Sequence, residues 1–558
     1  MSQIRFFGLG GLAENGKNMF VCEVDKKIFV LDAGLKYPSF DLYGVDTVIP
    51  DMTYLVEHQN MVQGLFISHG HEDHIGAAVE VLKRMNKPVY GTNFTISILE
   101  DMMQEEGLVL TDYELHRITE EDVLTYPKVK IHFYHVSHSI PETVNIAIET
   151  EDGVLVYAPD FTFDVNSDPR YQISFSKLFE IAKKGVLALC AESLGTSNLD
   201  RTTRDEGMKH AINEVFQTSK RVIFSTFSSD LDRIQKIINL AVVNGRRIAI
   251  IGRKAQKIVN IAINSGYLKI PEGKLVNLKY IDDTHKNDEE DLCVIVTGTR
   301  HEPFYMLQRM CRGQDRLISI TDKDSVVIVT PPVPGTERMA AKTIDILYQS
   351  DARVTEIKKE MLKSTHADHD ELKMMYSILH PRYIIPIIGE YRHQYMHKNV
   401  AMEAGYNEHQ IILIENGEAI TFKNGQLQSA RERIQVGDVL IDGSIVGDIN
   451  EIVLKDREMM SEEGIVVISV LVDLKRKKLA SAPSIVSKGL IISESLEIVI
   501  DKLEVITQDI VEVALQKRSV DISALKKELQ EQIGKELYRL TKKNPIIMSA
   551  IVEVESWM

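Results

Sequence analysis

The stretch "FISHGHEDHIGAA", residues 66–78, sets four potential metal donors close together: His69, His71, Asp73 and His74. If a strand ends and a loop begins here, alternate positions aim His69 and His71 at one ion. The next turn offers Asp73 and His74 to a second. Mixed nitrogen and oxygen donors suit Zn²⁺ or Mn²⁺ better than Ca²⁺ or Mg²⁺. Two distant residues can join them: His138, ending "VKIHFYHVSH" (129–138), and Asp160, ending "GVLVYAPD" (153–160). Taken alone, each fits a ligand or an ordinary hydrogen-bonding role equally well. Asp32 in "LDAG" is expected to hold a ligand histidine from behind.

These residues close short apolar runs, among them "KIFVLDAG" (27–34) and "GLFISHG" (64–70), which read as strands presenting side chains at their C-terminal ends. Helical periodicity in "GAAVEVLKRMNK" (76–87) makes the pattern α/β and layered. From about residue 200, "RVIFSTF", "RRIAIIG", "LCVIVTG" and "SVVIVTPP" alternate with helical segments, as in a doubly wound parallel sheet. "NGQLQSARERIQVGDVL" (424–440) is polar and reads as a linker region. Strands "EEGIVVISVLVD" (462–473) and "SAIVEVES" (549–556) then flank helices, forming a small α/β domain.

A chain of 558 residues suggests several domains. With 44% hydrophobic and 26% charged residues it reads as globular. No apolar run reaches the roughly 20 residues needed to span a bilayer, and the start lacks the zones of a secretory signal. A cytoplasmic location and no membrane partner are therefore expected. Cys22, Cys190, Cys293 and Cys311 are scattered and read as buried thiols rather than a zinc knuckle or disulfide framework. The net charge of −16 argues against promiscuous nucleic-acid binding but allows a local basic channel. Basic clusters at 245–257, 356–364 and 475–478 read first as solvated faces.

Taken together, "HGHEDH", His138 in "SHSIP" and Asp160 before "FTFD" resemble the metallo-β-lactamase fold. The inserted β-α units and "STH" around His366 resemble its β-CASP nucleic-acid-processing branch. "GLGGLAENGKNMF" (8–20), "DAGLKYP" (32–38), "VDTVIPDMTYL" (45–55), "GEYR" (389–392) and residues 440–470 narrow the likeness further. Over essentially its whole length the chain resembles the ribonuclease J family. That resemblance implies an αββα metallo-β-lactamase sandwich (1–200 and 363–425), interrupted by a parallel α/β β-CASP domain (201–362). A linker (426–446) and a small α/β C-terminal domain (447–558) follow. It also implies RNA as substrate, preferentially 5′-monophosphorylated, cut by 5′-to-3′ exonuclease with endonuclease as a second mode, in mRNA decay and rRNA maturation. His69, His71, His138 and Asp160 would hold one Zn²⁺ or Mn²⁺. Asp73, His74 and a bridging Asp160 would hold a second. Asp73, Asp160 and His366 take the catalytic roles, and Leu362, Lys363, Ser364, Thr365 and His366 the substrate-contacting ones. A homodimer through the C-terminal region is implied too.

Departures from the family pattern cluster at this site. Ile388 in "PIIGEYR" stands where a ligand histidine is expected, and His393 would need a different backbone path to replace it. Leu362 and Thr365 replace a histidine and a glycine in "LKSTH", and a β-branched Thr365 would be costly at positive φ. Glu192 stands for an aspartate, Arg300 and His301 for Gln and Gly, and "SKGL" (487–490) for "SRGF". These losses resemble the second, catalytically weaker branch of the family in Gram-positive bacteria, whose members partner a more active paralogue. A weak RNA hydrolase with a weakened second metal site is expected. The competing readings are a non-catalytic scaffold subunit and a small-molecule hydrolase, the latter disfavoured by the long insertion.

Overall fold

The computed structural model describes residues 2–38, 42–165, 168–197, 206–252, 255–278, 291–332, 336–443, 445–447, 451–490 and 496–554. Two compact units emerge, Met1–Tyr37 with Thr47–Val439, and Pro38–Asp46 with Leu440–Met558.

In the first unit a nine-stranded sheet and a six-stranded sheet pack face to face. Their shared core takes Phe6, Phe20, Phe29 and Phe66 from one sheet and Ile131, Ile146, Tyr157 and Ile385 from the other. Strand Met19–Val24 is buried throughout, so its continuous apolar run is what a two-sided strand requires. Behind the six-stranded sheet, helices Phe175–Lys183, His369–Leu379 and Tyr391–Glu403 close a second core around Leu178, Leu372 and Val400. Across the nine-stranded sheet, helix Asn93–Glu105 lies against strands Val89–Gly91 and Leu115–Arg117. The result is the expected αββα sandwich.

The interruption is a five-stranded, wholly parallel sheet in the order 247–251, 292–298, 222–227, 325–328, 353–356. A buried ion pair ties two of its strands: Arg221 Nε and Nη2 donate to Asp324 at 2.6 and 2.7 Å. The basic cluster at 245–257 is partly paired. Arg247 meets Asp291 at 2.6 Å, and Lys257 pairs with Glu105. The thiols of Cys22, Cys190 and Cys293 are buried and that of Cys311 half-buried, all four free.

The segment expected to be a linker is not all free chain. Strands Gln426–Leu427 and Glu432–Arg433 pair with Glu418–Lys423, which belongs to the nine-stranded sheet. Hydrogen bonds also join Pro38–Asp46 to the later residues of its unit: Asp46 N donates to Ile441 O at 2.8 Å, and Arg457 Nη1 to Tyr43 O at 3.1 Å. Such long-range pairing leaves no mark on local composition.

In the second unit, strand Ile465–Asp473 lies between Ser484–Lys488 and Ile546–Glu553. Helices Leu496–Leu515 and Ile522–Thr541 cover one face through Val466, Ile468, Leu503, Leu529 and Ile533. No helix of the described residues is long and apolar enough to cross a membrane.

Candidate metal and catalytic centre

Parallel strands place the site. Gly153–Ala158, Val186–Glu192 and Tyr383–Ile387 run side by side with Ala158 opposite Ala191 and Glu192 opposite Ile387. Asp160, Glu192 and Ile388 therefore emerge at one edge of the sheet. Strand Val62–Phe66 ends just before His69 on the facing sheet, and Val129–His135 just before His138. The loop bearing His69–His74 comes so close to the "LDAG" turn that a Cβ on Gly34 would lie 1.6 Å from Asp73 O. Only glycine fits there.

Three imidazoles converge. His69 Nε2 and His138 Nε2 lie 3.0 and 3.1 Å from His71 Nδ1. Asp160 Oδ2 lies 3.2 Å from His69 Nε2 and 3.6 Å from His138 Nε2. One ligand atom from each of these four residues lies within 4.8 Å of the others. Burial, reinforced by the His69 charge, pushes His71 down to about 3, and burial also lowers His138. With His71 and His138 held neutral by burial, their ring lone pairs suit a cation better than they suit one another. Burial alone would raise the Asp160 carboxyl, but its interactions with His138, His366 and His69 outweigh it and hold Asp160 well below the usual range. The donor set therefore fits a divalent ion of the zinc or manganese kind.

Each donor is oriented from behind. Ser68 Oγ lies 2.9 Å from His69 Nδ1, and His138 Nδ1 lies 2.8 Å from Thr365 O. Asp32, fully buried at φ +61°, accepts from Ser68 N and Oγ at 2.7 and 2.8 Å and from Tyr157 Oη at 2.7 Å. It also meets His74 Nδ1 at 2.7 Å, the supporting role its position in "LDAG" suggests.

The residues expected for a second ion gather less well. His74 Nε2 lies 3.4 Å from Asp73 Oδ2 and 3.3 Å from Asp160 Oδ2, but the Asn18 amide stands against it at 3.0 Å. Asn18 Nδ2 also donates to Asp73 Oδ2 at 3.3 Å. Ile388 is fully buried in the core between the sheets, at φ +53°. His393 accepts from Glu390 N within its own helix start, so it does not stand in for the missing donor. Thr365 is not among the residues at positive φ, so the strain expected there is absent. The β-branched residue in the left-handed region is Ile388 instead, at a cost of roughly 1–2 kcal/mol.

His366, with its side chain 31% exposed, turns Nδ1 to Glu192 Oε2 at 2.7 Å and to Asp160 Oδ1 at 3.2 Å. Burial would lower His366, but Glu192 and then Asp160 raise it well above its ordinary value. Burial likewise raises Glu192, to about 7. Glu192 Oε1 accepts from Phe161 N at 2.9 Å and Ala367 N at 3.1 Å, clamping the two loops that carry Asp160 and His366. Of the neighbouring segment, Leu362 is buried, whereas Lys363, Ser364 and Thr365 line a cleft with Ser139, Arg233 and Lys236. Lys363 pairs with Asp164, and Ser364 Oγ donates to His366 O at 2.7 Å.

Asn18 and the clamping role of Glu192 were not foreseen. Asn18 lies within "ENGKNMF", whose composition says nothing of a histidine folded against it. Glu192 was visible only as a departure from the family aspartate. Arg300 lies 4.8 Å over the Tyr37 ring, whose hydroxyl donates to Glu72 at 2.6 Å beside the histidine loop.

The Asp32 network generates a test. Asp32→Ala should weaken retention of a bound divalent ion by about 10–100-fold, read by competition against a chelator. Unchanged retention would mean that His74 and Ser68 hold the loop without it.

Four family models match the chain. They are the metallo-beta-lactamase superfamily over residues 13–166, the ribonuclease J beta-CASP domain over 219–347, the Zn-dependent metallo-hydrolase RNA specificity domain over 356–412, and the ribonuclease J C-terminal domain over 452–554. The chain is 34% identical over 553 residues to ribonuclease J2 of Bacillus subtilis (strain 168), covering 99% of each. It is 33% identical over 552 residues to ribonuclease J 2 of Staphylococcus aureus (strain NCTC 8325 / PS 47), covering 99% of this chain and 98% of that one. A solved protein of unknown function from Enterococcus faecalis V583 shares the fold, with TM-score 0.52 and 14% identity over 75% of this chain and 100% of its own. With the metal donors, the β-CASP insertion and full-length identity in agreement, the chain belongs to the ribonuclease J family.

Proposed function

We propose that the protein is an RNA hydrolase of ribonuclease J type, a 5′-to-3′ exonuclease with endonuclease as a second mode. Its activity is weak, and it acts beside a more active paralogue in mRNA decay and rRNA maturation. The observation that carries the hydrolase reading is the convergence of His69, His71, His138 and Asp160 on one point, beside His366.

A divalent ion on these four donors would acidify a water and polarise a phosphoryl oxygen. The chain supplies the rest. Asp160 orients both sides of the site through its two oxygens. His366 turns Nδ1 toward Glu192, so its other ring nitrogen is the one available to the leaving oxygen. Ser364 and Thr365, on the cleft wall, are placed to meet phosphate with hydroxyls or backbone N–H groups. A 5′-monophosphorylated RNA is the substrate this reading favours. Replacing His69 and His71 together by Ala should abolish cleavage of such an RNA in Mn²⁺ or Zn²⁺. A double variant that cuts as fast as wild type would remove this site from the reaction and favour a scaffold subunit.

Weak activity follows from Ile388. The set Asp73, His74 and Asp160 lacks its remaining protein donor, and water in its place has no fixed geometry. Histidine also tolerates a positive φ better than isoleucine does. Ile388→His should therefore tighten binding of a second Mn²⁺ by about 10-fold. An unchanged Mn²⁺ isotherm would sink this account of the weakness.

Assembly is proposed through the second unit, as a homodimer and as a heteromer with the paralogue. Support comes from the sheet face opposite its helices, where Leu471, Val486, Met548 and Val552 are 37–54% exposed. An apolar row on a flat sheet is a pairing surface in need of cover. Met548→Glu with Val552→Lys should weaken association in sedimentation. An unchanged dimer would place the interface elsewhere.

A further inference from the structure

Asp160 turns its two oxygens to two different groups. Oδ2 faces the triple-histidine cluster, at 3.2 Å from His69 and 3.6 Å from His138. Oδ1 faces His366 Nδ1 at 3.2 Å. His366 Nδ1 lies closer to Glu192 Oε2, at 2.7 Å, and at 3.2 Å makes no well-formed hydrogen bond to Asp160 Oδ1, which is buried without a hydrogen-bond partner. An orphaned carboxylate oxygen in a residue 2% exposed is costly unless something positive meets it.

What surrounds that oxygen is a second set of donors. Glu192 and Asp160 are buried, and one ligand atom from each lies within 4.8 Å of the other and of a His366 nitrogen. The three come from the ends of two adjacent parallel strands and from the loop opposite. Glutamate here carries one methylene more than the aspartate of the family pattern, bringing Oε2 to 2.7 Å from His366. Meanwhile the Asn18 amide stands 3.0 Å from His74 Nε2, and Ile388 offers that position no donor.

We infer that Asp160, Glu192 and His366 form a divalent-cation site of their own, bridged by Asp160 to the triple-histidine site and displaced from the Asp73–His74 position. The inference rests on the hydrolase reading in sharing Asp160 and His366 with it. The ion takes the place of the proton between His366 Nδ1 and Glu192 Oε2. The other ring nitrogen of His366 stays outside this site. Two carboxylates and one imidazole leave room for water ligands, which suits Mn²⁺.

The test saturates the full-length chain with Mn²⁺, removes free ion, counts metal per chain and records electron paramagnetic resonance. Wild type should hold two ions with an exchange-coupled spectrum. Glu192→Gln, which keeps the Oε1 acceptor for Phe161 and Ala367, should hold one uncoupled ion. Asp73→Asn should still hold two. Thermal melts check folding, and if Glu192→Gln does not fold, His366→Ala should lose the same ion. Two ions retained in Glu192→Gln or His366→Ala, one retained in Asp73→Asn, or a single ion in wild type would each overturn the inference. A single ion in wild type leaves the hydrolase reading intact. A wild type that binds none overturns both.

Discussion

The Asp160 carboxylate sits almost fully buried among His69, His74, His138 and His366, within 3.6 Å of each. An ionised group in that position is tolerable only if positive or polar partners surround it on all sides. Those partners come from both sheets of the sandwich and from the chain that follows the β-CASP insertion. Bringing them together requires the strand register that sets Ala158 opposite Ala191 and Glu192 opposite Ile387. The core between the sheets, the Gly34 close approach and the Asp32 hydrogen bonds all hold that arrangement in place.

Ile388 sets apolar volume at the end of the strand beside this site. Its backbone stays in the left-handed region, pinned by a hydrogen bond from its N–H to Gly11 O and another from Ser193 N to its carbonyl. Its side chain joins the core with Leu12 and Phe20. The turn therefore keeps its left-handed backbone at a residue whose side chain has no lone pair to offer a cation. The Asn18 amide lies against His74 Nε2 at 3.0 Å.

The cleft beside His138 has a related economy of charge. Arg233 and Lys236 reach it, yet Asp230 and Asp232 accompany them at 2.9 and 2.5 Å. A chain of net charge −16 thus carries cations to the site without a broad basic field. RNA recognition in such a setting depends on placed groups more than on long-range attraction.

Local pattern determined a great deal. Apolar runs ending in polar residues placed His69, His138 and Asp160 at strand ends, and the alternation of β and α after residue 200 foretold the parallel sheet. The His69–His71 pair could be read because its spacing is short and its chemistry specific, whereas distant His138 is ambiguous taken alone. Tertiary structure alone decided the remainder. Thr365 needs no positive φ, and Ile388 has it, because backbone angles at a turn follow from the loops packed around it. Glu192 meets His366 across 174 positions of sequence, a pairing no local periodicity can express. Likewise residues 38–46 belong with the chain after 440, since what groups them is hydrogen bonding between segments far apart. The sequence named which residues could bind a cation, whereas the packing of two sheets decided which of them face the same point.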